Sequence, residues 1–111
     1  MQPIATLIFS DLDGTLLDHD DYRFDAARPA LAAIRDQGIP LILSTSKTLA
    51  EVATINQALD NHHPAIVENG SALCFPLDHE YPFALVAHET LDAHMVIRLS
   101  TPYAEIRQFI Q

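Results

Sequence analysis

Only one cysteine, Cys74, occurs in 111 residues, so no disulfide can form within the chain. A lone thiol suits a reducing compartment, and burial beside Phe75 is its expected fate. Basic residues are also scarce: six Lys and Arg stand against fifteen Asp and Glu, a formal charge of −9. That balance repels polyanions and leaves no basic cluster to neutralise phosphates, which excludes nucleic acid and an anionic membrane surface as partners. A small phosphorylated ligand remains compatible where a metal ion or local donors screen the acidic groups. The N-terminus has neither the basic start nor the long apolar core of a signal peptide. No run reaches the roughly 18 apolar residues of a membrane span, so the cytoplasm is the expected location. Internal repeats and low-complexity segments are absent. What is abundant is apolar residues, at 49% of the chain, enough for the packed core of one domain at this length.

Those apolar residues fall into alternating patterns. Ile4 to Phe9 is a short, nearly continuous apolar run ending in turn chemistry, the mark of a strand buried on both faces. After a polar loop at Asp18 to Asp25, Ala26 to Gln37 places Ala27, Leu31 and Ile34 at helical spacing, with Pro29 tolerated near the first turn and Gly38 as the stop. Pro40 to Leu43 is a second strand. Ser44-Thr45-Ser46 is expected to cap the next helix, whose apolar stripe is Leu49, Val52, Ile55 and Leu59 with Glu51 in its early turns. That helix fades at Asp60 to Pro64. Ala65 to Val67 forms a third strand, and Glu68-Asn69-Gly70 turns out of it. The order predicts an α/β fold: a parallel sheet with flanking helices and right-handed crossovers.

Beyond this point the pattern changes. Ala72 to Phe75, Phe83 to Ala87 and Met95 to Leu99 read as short strands, and Pro102 to Gln111 as a helix through Tyr103, Ile106 and Ile110. Residues 1-78 are thus expected to form one unit and 79-111 the start of a smaller subdomain. Three parallel strands ending there predict an open sheet edge available for self-association.

Ligands of an open parallel sheet bind beyond the carboxyl ends of its strands, near a switch in strand order. Three polar clusters lie there: Asp11 and Asp13, then Thr45, Ser46 and Lys47, then Glu68 and Asn69. In Asp11-Leu12-Asp13-Gly14-Thr15 the two carboxylates point the same way from an extended backbone, Gly14 permits a sharp turn, and Thr15 offers a hydroxyl. Asp11 is the candidate nucleophile toward phosphorus. Asp13 is the candidate acid that protonates the leaving oxygen and later activates water. Two anions facing a phosphate need a hard cation between them, so the pair is also the candidate Mg²⁺ site. Gly14, Thr15, Thr45, Ser46, Lys47 and Asn69 complete the candidate phosphate and substrate contacts, helped by the N-terminal end of the second helix.

The string Phe9-Ser10-Asp11-Leu12-Asp13-Gly14-Thr15-Leu16-Leu17 resembles the first motif of the haloacid dehalogenase-like (HAD) phosphatases, and Leu41 to Thr45 resembles their second. Ser46-Lys47-Thr48 with Glu51, together with Ile66-Val67-Glu68-Asn69-Gly70, is similar to the mannosyl-3-phosphoglycerate phosphatase family in particular. Asp18 to Tyr22 and Tyr103 to Arg107 fit it as well. The resemblance implies a partial Rossmann-like HAD core with the beginning of an α+β cap. Its implied reaction is Mg²⁺-dependent hydrolysis of mannosyl-3-phosphoglycerate, a small phosphorylated sugar acid, to mannosylglycerate. It further implies that Asp11 is nucleophile and metal ligand, that Asp13 adds its backbone carbonyl to the metal, and that Thr45 binds phosphate. The family's third-motif lysine and fourth-motif acidic pair have no counterpart in these residues. A catalytically incompetent remnant serving as a binding module, and a phosphatase for another sugar phosphate, are the alternatives.

Each candidate also has a plainer role. Asp11 and Asp13 could cap a turn, Thr45 and Ser46 could only cap their helix, and Asn69-Gly70 makes a hairpin turn unaided. Lys47 is either a substrate contact or a solvated surface residue. Six histidines occur without metal-ligand spacing, and His62, His63, His79, His88 and His94 read as surface or turn residues.

Overall fold

The computed structural model describes residues 6–17, 23–81, 89–101 and 103–109. Its elements follow the order β1 (Ile8–Ser10), α1 (Arg28–Asp36), β2 (Leu41–Ser44), α2 (Leu49–Leu59), β3 (Ala65–Val67), β4 (Ala72–Pro76), β5 (Glu89–Leu91), β6 (His94–Arg98) and α3 (Tyr103–Ile106). The expected strand at Phe83 to Ala87 and the acidic segment Asp18 to Tyr22 lie outside the described residues.

Six strands form one sheet in the order β1-β2-β3-β4-β6-β5. β1 is parallel to β2 and β2 to β3, with Phe9 opposite Ile42 and Leu43 opposite Ala65. From β3 onward the sheet is antiparallel, through β4 and β6 to β5. The parallel half arises because each strand is followed by a helical crossover. The antiparallel half arises because the turn at Glu68 to Gly70 reverses the chain directly, with Glu68, Asn69 and Gly70 all at positive φ. β5 and β6 fall within residues 79–111, yet β6 hydrogen-bonds along β4, its five residues paired with Ala72 to Pro76. The strand order β1-β2-β3 contains no reversal, so the carboxyl ends of β1 and β2 adjoin directly rather than flanking a switch.

The core follows from strand alternation. Leu41 and Leu43, Ala65 and Val67, Ala72 and Cys74, and Val96 pack in one cluster with Leu49, Val52 and Leu59 of α2, and Leu31 of α1 packs against it. Residues at every second strand position share a face, so α2 seals the face that carries this row. At the β1 end, Leu7 is 55% and Phe9 59% exposed. β1 is therefore an edge strand with apolar side chains in solvent.

Both long helices end in the same hydrogen-bond pattern. At α1, Gly38 (φ 68°) donates to the Arg35 carbonyl and Ile39 to that of Ile34, the glycine stop expected of this sequence. At α2, Asp60 takes the left-handed position (φ 54°), donating to the Gln57 carbonyl, while Asn61 donates to that of Asn56. The start of α2 differs from expectation. Its N-cap is Thr48, joined to Glu51 in a reciprocal capping box, not the Ser44-Thr45-Ser46 segment. Thr48-x-x-Glu51 was the legible signal, and using it for the cap frees Thr45 and Ser46 from that task.

Candidate active site

A cavity of about 400 Å³ is lined by Asp11, Leu12, Asp13, Ser44, Thr45, Ser46 and Asn69. It lies beyond the carboxyl ends of β1, β2 and β3, where the sequence placed it.

The first wall is the turn that follows β1. Leu12 is fully buried and Leu17 nearly so, anchoring the turn from below while Asp11 and Asp13 on either side of Leu12 are exposed. Gly14 (φ 76°) bends the chain back. Its N–H donates to the Leu17 carbonyl, and the Leu12 carbonyl accepts from both Thr15 and Leu17. Gly14 thus acts through backbone geometry, and neither it nor Thr15 is among the residues lining the cavity.

The second and third walls are stapled to each other. Glu68 donates its N–H to the Lys47 carbonyl and Asn69 to that of Thr45, each at 3.0 Å. These bonds depend on the left-handed conformations of Glu68 (φ 49°) and Asn69 (φ 59°), which a non-glycine residue adopts only when its surroundings compensate the strain. Thr45 is buried, and its Oγ1 accepts from the Lys47 N–H at 3.1 Å. That bond orients the hydroxyl and turns the Lys47 side chain across the gap, where Nζ lies 3.5 Å from Asp13 Oδ1.

Of the sequence-nominated residues, Asp11, Asp13, Thr45, Ser46 and Asn69 converge on the cavity, and Lys47 reaches it through Asp13. Glu68 does not: it lines a different cavity together with Thr48, Cys74 and Arg98. The Lys47–Asp13 pair has no sequence signature, because it depends on the adjacency of β1 and β2.

The donor set at the carboxylates consists of oxygens, the chemistry of a hard cation such as Mg²⁺. Asp11 and Asp13 are both accessible, and residues of this type fit such an ion. Among the described residues, no third Asp, Glu, His or Cys brings a ligand atom into a group with theirs.

Comparison with known proteins bears on the family and the fold. The chain is 46% identical over 105 residues to a glucosyl-3-phosphoglycerate/mannosyl-3-phosphoglycerate phosphatase of Methanococcoides burtonii, a match covering 95% of this chain and 38% of that protein. It is 45% identical over 105 residues to a protein of the same name from Persephonella marina, with the same coverage. The chain therefore spans less than two-fifths of the length of these curated relatives. Among solved structures, it superposes on a phosphatase of the HAD enzyme superfamily from Bacteroides thetaiotaomicron with a TM-score of 0.65 at 21% identity, covering 96% of this chain and 34% of that one. A haloacid dehalogenase-like hydrolase from B. subtilis gives a TM-score of 0.63 at 22% identity, covering 95% and 31% respectively. These likenesses establish the shared fold. A sequence profile of haloacid dehalogenase-like hydrolases matches residues 8–105, and the chain belongs to that family.

Proposed function

We propose that this chain is the N-terminal part of a Mg²⁺-dependent phosphatase for a hexosyl-3-phosphoglycerate. In this reading residues 1–78 contribute to its core and 79–111 begin its cap. The observation that carries the reading is the convergence of Asp11, Asp13, Thr45, Ser46 and Asn69 on one cavity. Mannosyl-3-phosphoglycerate is the first substrate to test. The glucosyl compound is the second, because the relatives' names couple the two.

The chemistry follows from the residues. A carboxylate oxygen of Asp11 attacks phosphorus and the ester oxygen leaves, forming an aspartyl-phosphate, while Asp13 gives that oxygen a proton. Asp13 then takes a proton from water as the water attacks phosphorus, which releases inorganic phosphate, returns Asp11 to its carboxylate and Asp13 to its protonated form. Thr45, Ser46 and Asn69 hold phosphoryl oxygens, and Lys47 offers a cationic side chain paired to Asp13. Asp11 and Asp13 would hold Mg²⁺, which supplies charge neutralisation between carboxylates and phosphate. A cytoplasmic site of action, suited to a single reduced cysteine, belongs to the same reading. Among the described residues, no helix is long and apolar enough to cross a membrane.

The isolated 111-residue chain should turn over very weakly, since among the described residues no third carboxylate, His or Cys joins Asp11 and Asp13 to hold the metal. The test is phosphate release from mannosyl-3-phosphoglycerate in the presence of Mg²⁺, using the longest expressible form. Asp11→Asn should reduce it by roughly a thousandfold or more with the circular dichroism spectrum unchanged. Activity that survives the substitution overturns the assignment.

A further inference from the structure

Two loops meet at the end of the sheet opposite the catalytic cavity. β3 and β4 run antiparallel with Ala65 opposite Cys74, so the segment entering β3 lies beside the segment leaving β4. This pairing gathers His62, Asp78 and His79, each offering one ligand atom, with all three atoms within 4.8 Å of one another.

His62 is held between two carboxylates. Its Nε2 lies 2.8 Å from Asp60 Oδ1, and its Nδ1 lies 3.2 Å from Asp78 Oδ2. A neutral imidazole has one N–H, so if Nε2 donates to Asp60, Nδ1 and Asp78 confront each other with lone pairs. A cation between them resolves the conflict, either a second proton on the ring or a metal ion in that proton's place. Nitrogen and oxygen ligands bound at about 2.0–2.1 Å in a tetrahedron lie about 3.3 Å apart, close to the separation found here. Asp60 then has the place of an outer carboxylate that fixes the ring's tautomer and raises its basicity.

The surroundings preorganise the three side chains. Asp60 is fixed by its left-handed position at the end of α2, where Arg35 Nη2 donates to the Leu59 carbonyl at 2.7 Å. Asn61 donates its side-chain amide to Asn56 Oδ1 and to the Leu41 carbonyl. Across the gap, the Tyr81 hydroxyl donates to the Pro76 carbonyl at 2.7 Å and closes the loop that carries Asp78 and His79. The ring of His63 stacks on that of His79, with centroids 5.9 Å apart. His62, Asp78 and His79 are exposed, so their ligand atoms can reach bonding distance by small side-chain rotations at the surface.

We propose that His62, Asp78 and His79 form a binding site for a borderline transition-metal ion such as Zn²⁺, with a fourth position open to water. Imidazole nitrogens with one carboxylate favour such ions over Mg²⁺, and the acidic chain attracts cations generally. Bound there, the ion ties the α2–β3 connection to the end of β4, away from Asp11 and Asp13. This site stands independently of the phosphatase reading.

The test is titration of the 111-residue chain with Zn²⁺ alone, followed by long-range ¹H–¹⁵N spectra of the histidine rings and by calorimetry. One equivalent should bind, shifting the ring nitrogens of His62 and His79. His79→Gln should weaken binding roughly a hundredfold and Asp60→Asn about tenfold, whereas Asp11→Asn should leave it unchanged. Unmoved His62 and His79 ring nitrogens in the native chain overturn the proposal, as does equal affinity in the native chain and His79→Gln.

Discussion

The ammonium of Lys47 lies 3.5 Å from the carboxylate of Asp13, with the Lys47 side chain only 19% exposed. A partly screened pair of this kind contributes little to stability, about 1 kcal/mol or less. Its value is local: it delivers positive charge to a crevice that carries the carboxylates of Asp11 and Asp13. Lys47→Met should shift the urea midpoint only slightly. In the longest expressible form it should raise KM for the phosphorylated substrate about tenfold, the effect of losing one charge-assisted contact. An unchanged KM would assign Lys47 to the surface.

Thr48 opens α2 through a reciprocal cap in which Thr48 N–H donates to Glu51 Oε1 and Glu51 N–H to Thr48 Oγ1. Thr48→Ala should cost about 1 kcal/mol in denaturant unfolding.

The same bonds make the helix start sensitive to acid. The backbone N–H of Thr48, and then its hydroxyl, hold the Glu51 carboxyl below its ordinary value of 4.5. A depressed folded-state value contributes stability that is full above 4.5 and is lost as pH falls through the lowered value. Urea midpoints of the native chain and Glu51→Gln should therefore differ at pH 7 and converge on acidification. A gap that stays constant down to strong acid would refute the capping role of the charge.

Cys74 is 1% exposed within β4, and burial pushes its thiol up to about 11 from an ordinary value of 9.0. That rise alone lowers the thiolate fraction at pH 8 about a hundredfold. Ellman's reagent should label the native chain at least that much more slowly than the chain in guanidinium. Comparable rates would mean that β4 opens readily.

Phe9 stands 59% exposed on the edge strand β1. An apolar edge with unpaired backbone groups invites a second strand, so the isolated chain should self-associate at micromolar concentration. Sedimentation velocity should find Phe9→Lys shifted toward monomer, and an unchanged distribution would place the contact elsewhere.

Local chemistry carries much of this protein. The runs Leu41 to Leu43 and Ala65 to Val67 are long enough to declare strands, Gly38 declares a helix end, and Asp11-Leu12-Asp13-Gly14-Thr15 declares a turn bearing two accessible carboxylates. Each of these signals is complete within a few neighbouring residues, because alternation, φ preference and turn formation are short-range properties. The α2 cap is Thr48 rather than Ser44 to Ser46, because only Thr48 stands three residues before a carboxylate that can return the bond.

Other relationships belong to the folded chain alone. The parallel pairing of β1 with β2 brings Lys47 to Asp13. The antiparallel pairing of β3 with β4 brings His62 to Asp78, sixteen residues away, and turns histidines with no ligand spacing into a candidate metal site. Strand adjacency and register arise from burying Leu43, Val67, Cys74 and Val96 in one shared layer. No local pattern encodes which loops such a layer sets side by side. The motif at Asp11 could therefore be read from the string of residues, whereas the company it keeps was decided by packing.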